Sequence, residues 1–291
     1  MQPSALRTPG EKQRTPNRGW LNKKKMPRYE DIDAINWSSL KWMRTSPLQY
    51  KWNREHPTEP TAAMQLGTAI HTLVLESDKF ESEFVVWPRP RRGNEWKAFQ
   101  DEHAGKIILT ETEATRARGA ASSVRSHLIA SKHLQTGARE KVITWTDPDT
   151  GLPCKGRADL VNGHLVELKS STDIQPYRFG NVAARLGYHC QLAFYEDGLA
   201  ESGYELHGDT VLIVVQNTPP FDVAVYRITE DTVRAGRREY KQLLQQLLDC
   251  IASDSWPGIC GDAELEFELP GWADSTDNPP SLTLGGQPLE F

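Results

Sequence analysis

At 291 residues, 38% hydrophobic and 25% charged, the chain has the make-up of an ordinary globular protein, with room for one substantial domain plus extensions or for two small ones. No apolar run approaches the roughly 20 residues of a membrane-spanning helix, and the basic, proline-containing start lacks the apolar segment of a secretory signal, so a cytoplasmic protein without membrane partners is expected. The net charge of −5 hides a division, because residues 1–28 carry +7 and residues 261–291 carry −7, and an arm of that sign keeps nucleic acid open as a partner.

Residues 1–27 hold Pro, Gly, Gln and Lys/Arg with too little apolar content to offset the entropy of ordering, and they read as a basic disordered arm that either follows phosphates or is simply solvated. After Tyr29, the run Ile35-Asn-Trp-Ser-Ser-Leu-Lys-Trp-Met predicts a short helix capped by Ser38 or Ser39, and Pro47 marks the next break. Residues 61–76 place Met64, Ala69, Leu73 and Leu75 at helical spacing, which predicts a buried helix carrying His71. The Trp-, Pro- and Arg-rich stretch 87–96 reads as a loop and Glu111 to Ser131 as a helix, both connecting or substrate-facing. Residues 139–171 contain three short β-branched runs separated by Asp-Pro-Asp-Thr-Gly and Asn-Gly, the pattern of a three-stranded antiparallel meander. A helix over 180–202, a buried strand Thr210–Gln216, a strand over 222–228 and a long helix over 229–253 complete an α/β or α+β sheet sandwich, with no internal repeat.

Cys154, Cys190, Cys250 and Cys260 form no CxxC pair, which speaks against a zinc ribbon or a disulfide framework and for reduced thiols. An iron–sulfur cluster would need a closely spaced late trio, and only Cys250 and Cys260 lie late.

The chemistry concentrates on the meander. Asp159 and Glu167 flank the Asn162-Gly163 turn, so a hairpin folds the two carboxylates toward each other, and Lys169 points to the face of Glu167 by strand alternation. Hard divalent ions take carboxylate and carbonyl oxygens, and Asp159, Glu167 and the backbone carbonyl of Leu168 supply such a set for Mg²⁺, or Mn²⁺, as one ion or two. Phosphodiester hydrolysis needs an activated water and compensation of developing charge, work suited to such ions and to Lys169. An isolated Glu-Leu-Lys triplet also occurs on many solvated hairpins.

The triplet does not stand alone. Gly156-Arg157-Ala158-Asp159, Val166-Glu167-Leu168-Lys169-Ser170 and Gln191-Leu-Ala-Phe-Tyr195 resemble, in order and spacing, the GxxD, (D/E)xK and QxxxY motifs of RecB-type PD-(D/E)XK nucleases, and Gly67-Thr-Ala-Ile-His71 resembles their upstream glycine–histidine helix. Within that superfamily the chain is most similar to phage and prophage exonucleases of the exonuclease VIII (RecE nuclease domain) and lambda-exonuclease-like kind, through Trp37–Pro47, Trp256-Pro-Gly and Glu268–Trp272. The resemblance implies a restriction-endonuclease-like core, a central mixed β-sheet flanked by helices, over residues 28–272, with an acidic, proline-containing tail over 273–291. It implies a metal-dependent exodeoxyribonuclease that digests linear duplex DNA ends processively from 5′ to 3′, in a bacterial host and encoded by phage or prophage. A homo-oligomeric ring and a single-strand annealing protein are the partners that go with it.

The resemblance also assigns roles. His71 and Glu140 match positions that complete the metal shell, against the alternatives of a core histidine and a surface glutamate. Gln191 and Tyr195 share a helix face and fit a role beside Lys169, with core packing the alternative for Tyr195. Arg44, Ser46, Ser39 and Arg157 fit contacts to a 5′ phosphate or the DNA track, although Ser46 equally fits a helix cap. Lys155 and Arg185 fit the track or plain surface. The absence of a GxxxxGK[ST] loop argues for a nuclease without a helicase. Two other functions compete: a structure-specific endonuclease or CRISPR- or repair-associated nuclease of the same fold, and a catalytically idle DNA-binding scaffold.

Overall fold

The computed structural model describes residues 28–269 and the backbone of two paired two-residue strands, Thr283–Leu284 and Gln287–Pro288. The arm expected over residues 1–27 lies outside the described residues, as do the side chains of the tail. The chain divides into two compact units, Met1–Asp33 and Ala34–Phe291. In the first, the 3-10 turn Tyr29–Asp31 is described, with Arg28 Nε 3.0 Å from Asp31 Oδ2.

The second unit begins with α1 (Trp37–Leu40), a 3-10 turn over Lys41–Arg44, and α2 (Pro47–Glu55). α3 (Ala62–Leu75), α4 (Phe80–Glu83), β1 (Phe84–Trp87), α5 (Gly93–Glu102) and β2 (Ile107–Thr110) follow, then α6 (Glu111–Ser126) and α7 (Leu128–Leu134). The meander is β3 (Ala138–Thr146), β4 (Pro153–Val161) and β5 (Leu165–Ser171). α8 (Pro176–Leu186) and α9 (Tyr188–Glu201) cross to β6 (Val211–Gln216), which is followed by β7 (Val223–Arg227) and α10 (Glu230–Ser253).

Strands β3 to β7 form one sheet in chain order, antiparallel throughout except between β5 and β6. Parallel neighbours require a crossover, and α8–α9 provides it. Val211, Ile213 and Val215 of β6 face the helices α3 and α6, whose buried side chains include Leu66, Ile70, Ala117 and Val124. Leu212 and Val214 face the other way, against Ile174 and Phe179. Burial on both faces explains why β6 is a continuous apolar run rather than an alternating one. A second helical layer, α1, α9 and α10, packs on β3 and β4 through Trp37, Leu40, Phe194, Tyr240 and Leu244. The sheet is therefore the mixed, helix-flanked one expected.

Several local expectations are corrected. The cap of α1 is Asn36, whose Oδ1 accepts from the Ser39 N–H at 2.8 Å, because Asn36 precedes the first helical residue and Ser38 and Ser39 already lie inside it. Pro47 opens α2 at its first position, with Ser46 as the cap, since a missing N–H costs nothing there. Met64 is exposed, and α3 instead buries Leu66, Ala69, Ile70, Thr72 and Leu75. Within 87–96, Trp87 ends β1 and α5 begins at Gly93. The helix expected over 111–131 breaks at His127, whose side chain caps α7. The helix expected over 180–202 is two, divided at Gly187, which holds φ +70 as the left-handed end of α8.

Two long-range contacts tie α10 to this frame, and each yields a test. Gly236 lies on its buried face, where a Cβ would be driven into the backbone carbonyl of His189 on α9. Gly236→Ala forces the helices apart, and thermal unfolding should show a loss of about 1–3 kcal/mol or more; an unchanged Tm would contradict the packing. In the β3–β4 turn, Asp147 is 1% exposed, accepts from Thr150 Oγ1 at 2.8 Å and from Lys241 Nζ of α10 at 2.6 Å. Burial pushes this carboxyl up, but Lys241 and Thr150 outweigh it and hold it below the usual carboxylate range. A depressed native value contributes stability above the unfolded pKa and loses it as pH falls through the native one. Acid titration of unfolding below about pH 4 should therefore be shallower in Asp147→Asn than in wild type.

Candidate active site

The β4–β5 ladder has two residue pairs, Leu160 with Val166 and Val161 with Leu165. One step further from the turn, side chains replace the ladder. The Asp159 N–H donates to Glu167 Oε1 at 3.0 Å, and the Leu168 N–H donates to Asp159 Oδ2 at 2.7 Å. Each carboxylate thus satisfies the opposite strand's amide, and the strands are held apart at this level. The N–H and C=O of one strand residue point to the same edge, so the Leu168 carbonyl faces the same gap.

On the other side of β4, pairing runs from Arg139–Leu160 to Lys141–Ala158 and omits Glu140 and Asp159, which stand opposite each other. Glu140 holds φ +46, a left-handed conformation unusual for a residue other than glycine. Glu140, Asp159 and Glu167 consequently form a row of carboxylates at one level across three adjacent strands.

Helices complete the group. α3 lies against β5, with Gly67 facing Ser170. One turn later His71 brings Nδ1 to 3.5 Å from Asp159 Oδ2. Ligand atoms of His71, Glu140 and Asp159 all lie within 4.8 Å of one another. Lys169 Nζ is 2.9 Å from Glu167 Oε2 and 5.5 Å from the Tyr188 ring centre, and Gln191 Nε2 lies 3.4 Å from the same Oε2.

The electrostatics follow from crowding acids in a buried place. Burial, then the Asp159 charge, push the Glu167 carboxyl up to about 7 against the pull of Lys169. Burial and Asp159 likewise raise Glu140. Burial alone would raise Asp159, yet His71, Lys169 and the Leu168 N–H hold it low. His71 and Lys169 are raised in turn, because the facing carboxylates outweigh their burial. Oxygen-rich donors whose negative charges repel one another fit a divalent cation, which would relieve that repulsion; His71, Glu140 and Asp159 form the compact set, with Glu167 and the Leu168 carbonyl beside it.

Of the remaining expected residues, Arg157 touches this group and the others lie apart from it. Tyr195 is 6% exposed and packs its ring across β4 at Gly156, where a Cβ would come within 2.9 Å of it. Arg157 Nε is 3.1 Å from Glu140 Oε2, and Lys155 is buried, its backbone N–H bonded to the Ile35 carbonyl. Arg44 donates from Nε to Glu239 at 2.6 Å, from Nη1 to the Arg185 carbonyl at 2.7 Å and from Nη2 to the Ala184 carbonyl at 3.0 Å. Arg44, Ser46 and Arg185 line a cleft of about 730 Å³ between α2, α8 and α10. Ser39 Oγ donates to the Asn36 carbonyl. Tyr188 under Lys169 was not anticipated; its position at the start of the helix of Gln191, three residues before it, was the available signal.

No curated protein matches the chain. Among solved structures, a candidate exonuclease from Eubacterium rectale is similar with a TM-score of 0.58 and 12% identity, over 89% of this chain and 99% of that one, which shows a shared fold. A phage-related exonuclease from Haemophilus somnus 129PT matches at 11% identity over 76% of this chain and 96% of that one, with a TM-score of 0.34 that carries no weight. The family model of the PDDEXK-like domain of unknown function DUF3799 matches residues 36–268, which contain the sheet, both helical layers and the carboxylate row, and the chain belongs to that family, with the PD-(D/E)XK nuclease fold.

Proposed function

We propose that the protein is a divalent-cation-dependent exodeoxyribonuclease that hydrolyses linear duplex DNA from its ends, with Mg²⁺ as the working ion and Mn²⁺ as a substitute. The observation that carries the reading is the row Glu140, Asp159 and Glu167 with Lys169 at its rim. His71, Glu140, Asp159 and the Leu168 carbonyl would hold the cation, which would supply charge compensation at the scissile phosphate and a more acidic water.

The chain's own groups do the rest. Lys169 Nζ, kept protonated by Glu167 and Asp159, orients the attacking water and offsets negative charge as it grows on the phosphoryl oxygens. Glu167 and Gln191 hold the place of that ammonium, and the Leu168 amide fixes the rotamer of Asp159. Tyr195 acts by packing: its ring seats β4 and leaves the reacting atoms to others. Digestion from 5′ to 3′, processivity, a place in phage-type recombination, a ring of identical subunits and an annealing partner rest on the motif resemblance. The exonuclease description of the Eubacterium rectale protein agrees with it. Arg44 and Ser46 support the end-binding part less directly than expected, and the exposed guanidinium of Arg185 is the better phosphate contact in the cleft between α2, α8 and α10.

Digestion of linear duplex labelled at the 5′ or 3′ end, beside a covalently closed circle, tests this reading. Wild type with Mg²⁺ should release 5′ label and spare the circle, and Lys169→Ala should be at least about 10²-fold slower. Cutting of the circle would replace the exonuclease with an endonuclease, and DNA binding without cutting under any cation would leave a scaffold. Glu140→Gly separates stability from activity. Glycine accepts φ +46 without strain, so the variant should unfold at a temperature equal to or higher than wild type, by roughly 2–4 °C for about 1 kcal/mol of relief, while cleavage falls at least about tenfold. Loss of both together would mean that Glu140 is structural.

A further inference from the structure

Between β1 and β2 the chain makes an excursion that neither helical layer explains. α5 has no buried residue. Its half-buried rings instead gather at the end of β1: Trp96 lies 5.6 Å and Phe99 4.7 Å from Trp87, centre to centre, and His103 lies 4.2 Å from Phe99. None of these rings belongs to the apolar clusters that pack the sheet. The same excursion opens with Arg89, Arg91 and Arg92, the densest run of cations among the described residues of an otherwise acidic chain. The Arg89 guanidinium sits 5.9 Å from the centre of Trp87 and that of Arg91 5.7 Å from Trp96. Arg92 is exposed and makes no ion pair among the described residues.

Hydrogen bonds place this knot on the rim where β5 and β6 end. Arg91 Nη2 donates to the Ile108 carbonyl at 2.7 Å and to Glu113 of α6 at 3.1 Å. One turn along α6, Arg116 Nε donates to the Asn217 carbonyl at 2.7 Å, and the Asn217 N–H donates to Ser171, two residues beyond Lys169. Aromatic faces interleaved with guanidinium groups are what unpaired bases and their phosphates require, since any base can stack on a ring or a guanidinium plane while the backbone is neutralised. We propose that Trp96 and Phe99, seated on the buried Trp87, form with Arg91 and Arg92 a binding platform for single-stranded nucleic acid, positioned to hold the strand that a duplex gives up at the centre, while Arg89 pairs with Glu95. Its pairing with the centre rests on the nuclease reading above; the binding of single strands does not.

The test is fluorescence anisotropy of the full-length protein with a labelled oligothymidylate of about 16 nucleotides, in chelator and at several salt concentrations. Trp96→Ala should weaken binding about tenfold, and Trp96→Phe, which keeps a ring, should retain most of it. Arg92→Ala should weaken binding and reduce the slope of log K against log salt by about 0.7. If Trp96→Ala disturbs folding, as judged by circular dichroism, Trp96→Phe and Arg92→Ala decide the matter. Because binding is read in chelator, where no cation supports cleavage, the platform stands or falls independently of the nuclease reading. Wild-type affinity and salt slope in Arg92→Ala, or an equal loss of blunt duplex binding in the Trp96 and Arg92 variants, would overturn the proposal.

Discussion

The exchange between β4 and β5, in which the carboxylates of Asp159 and Glu167 bond the amides that a continuous ladder would have paired, is the arrangement on which the rest of the centre depends. A buried carboxylate loses several kcal/mol of hydration and is tolerated only where charge-assisted hydrogen bonds and a counter-charge replace it. Here the replacement is shared: two amides, Lys169 and His71 compensate two acids that would otherwise repel each other. The interrupted ladder leaves the Leu168 carbonyl facing the gap between β4 and β5, and Glu140 joins the row from β3 on the other side of β4. Strand separation and oxygen-lined site are thus one feature.

The helices have to respect that geometry. α3 must come close enough to the sheet for His71 to reach Asp159 on β4, and α9 close enough for Gln191 to reach Glu167 on β5. The approach of α9 passes over a glycine, Gly156, whose Cβ would collide with the Tyr195 ring. That glycine belongs to the same motif as Asp159, which gives the motif a packing reason: a GxxD strand carries its glycine where the tyrosine of the neighbouring helix lies. Tyr195 and Asp159 are coupled through the position of β4 rather than through a shared ligand.

This is also why the centre was readable in the sequence while its surroundings were less so. Strand alternation and a short turn bring Asp159, Glu167 and Lys169 together by local rules, and β6 announced itself by β-branched content. Glu140 is another matter, since its φ of +46 interrupts a ladder that is paired on both sides of it and has no local signal. The β1–β2 pair was missed because two four-residue strands pair in parallel across a long excursion, a long-range contact that periodicity does not register. The break at Gly187 was missed because one glycine in a helical pattern is usually tolerated, and only the ring of Trp37 and the guanidinium of Arg44, packed where its Cβ would be, show why this one is not.

Gly187 leads to a different account of Arg44. The resemblance offered Arg44 as a phosphate ligand, yet each of its three nitrogens donates within the protein, two of them to carbonyls in the last turn of α8. A guanidinium at that end satisfies acceptors that the helix cannot pair and favours the negative end of its dipole. The clamp fixes where α8 stops, Gly187 turns the chain, and the next residue is Tyr188, whose ring lies under Lys169 Nζ. The cleft of about 730 Å³ and the carboxylate row are therefore joined by a short covalent path through one left-handed residue. Arg44 therefore holds the junction between two helices, the second of which opens with Tyr188 and carries Gln191 in its first turn.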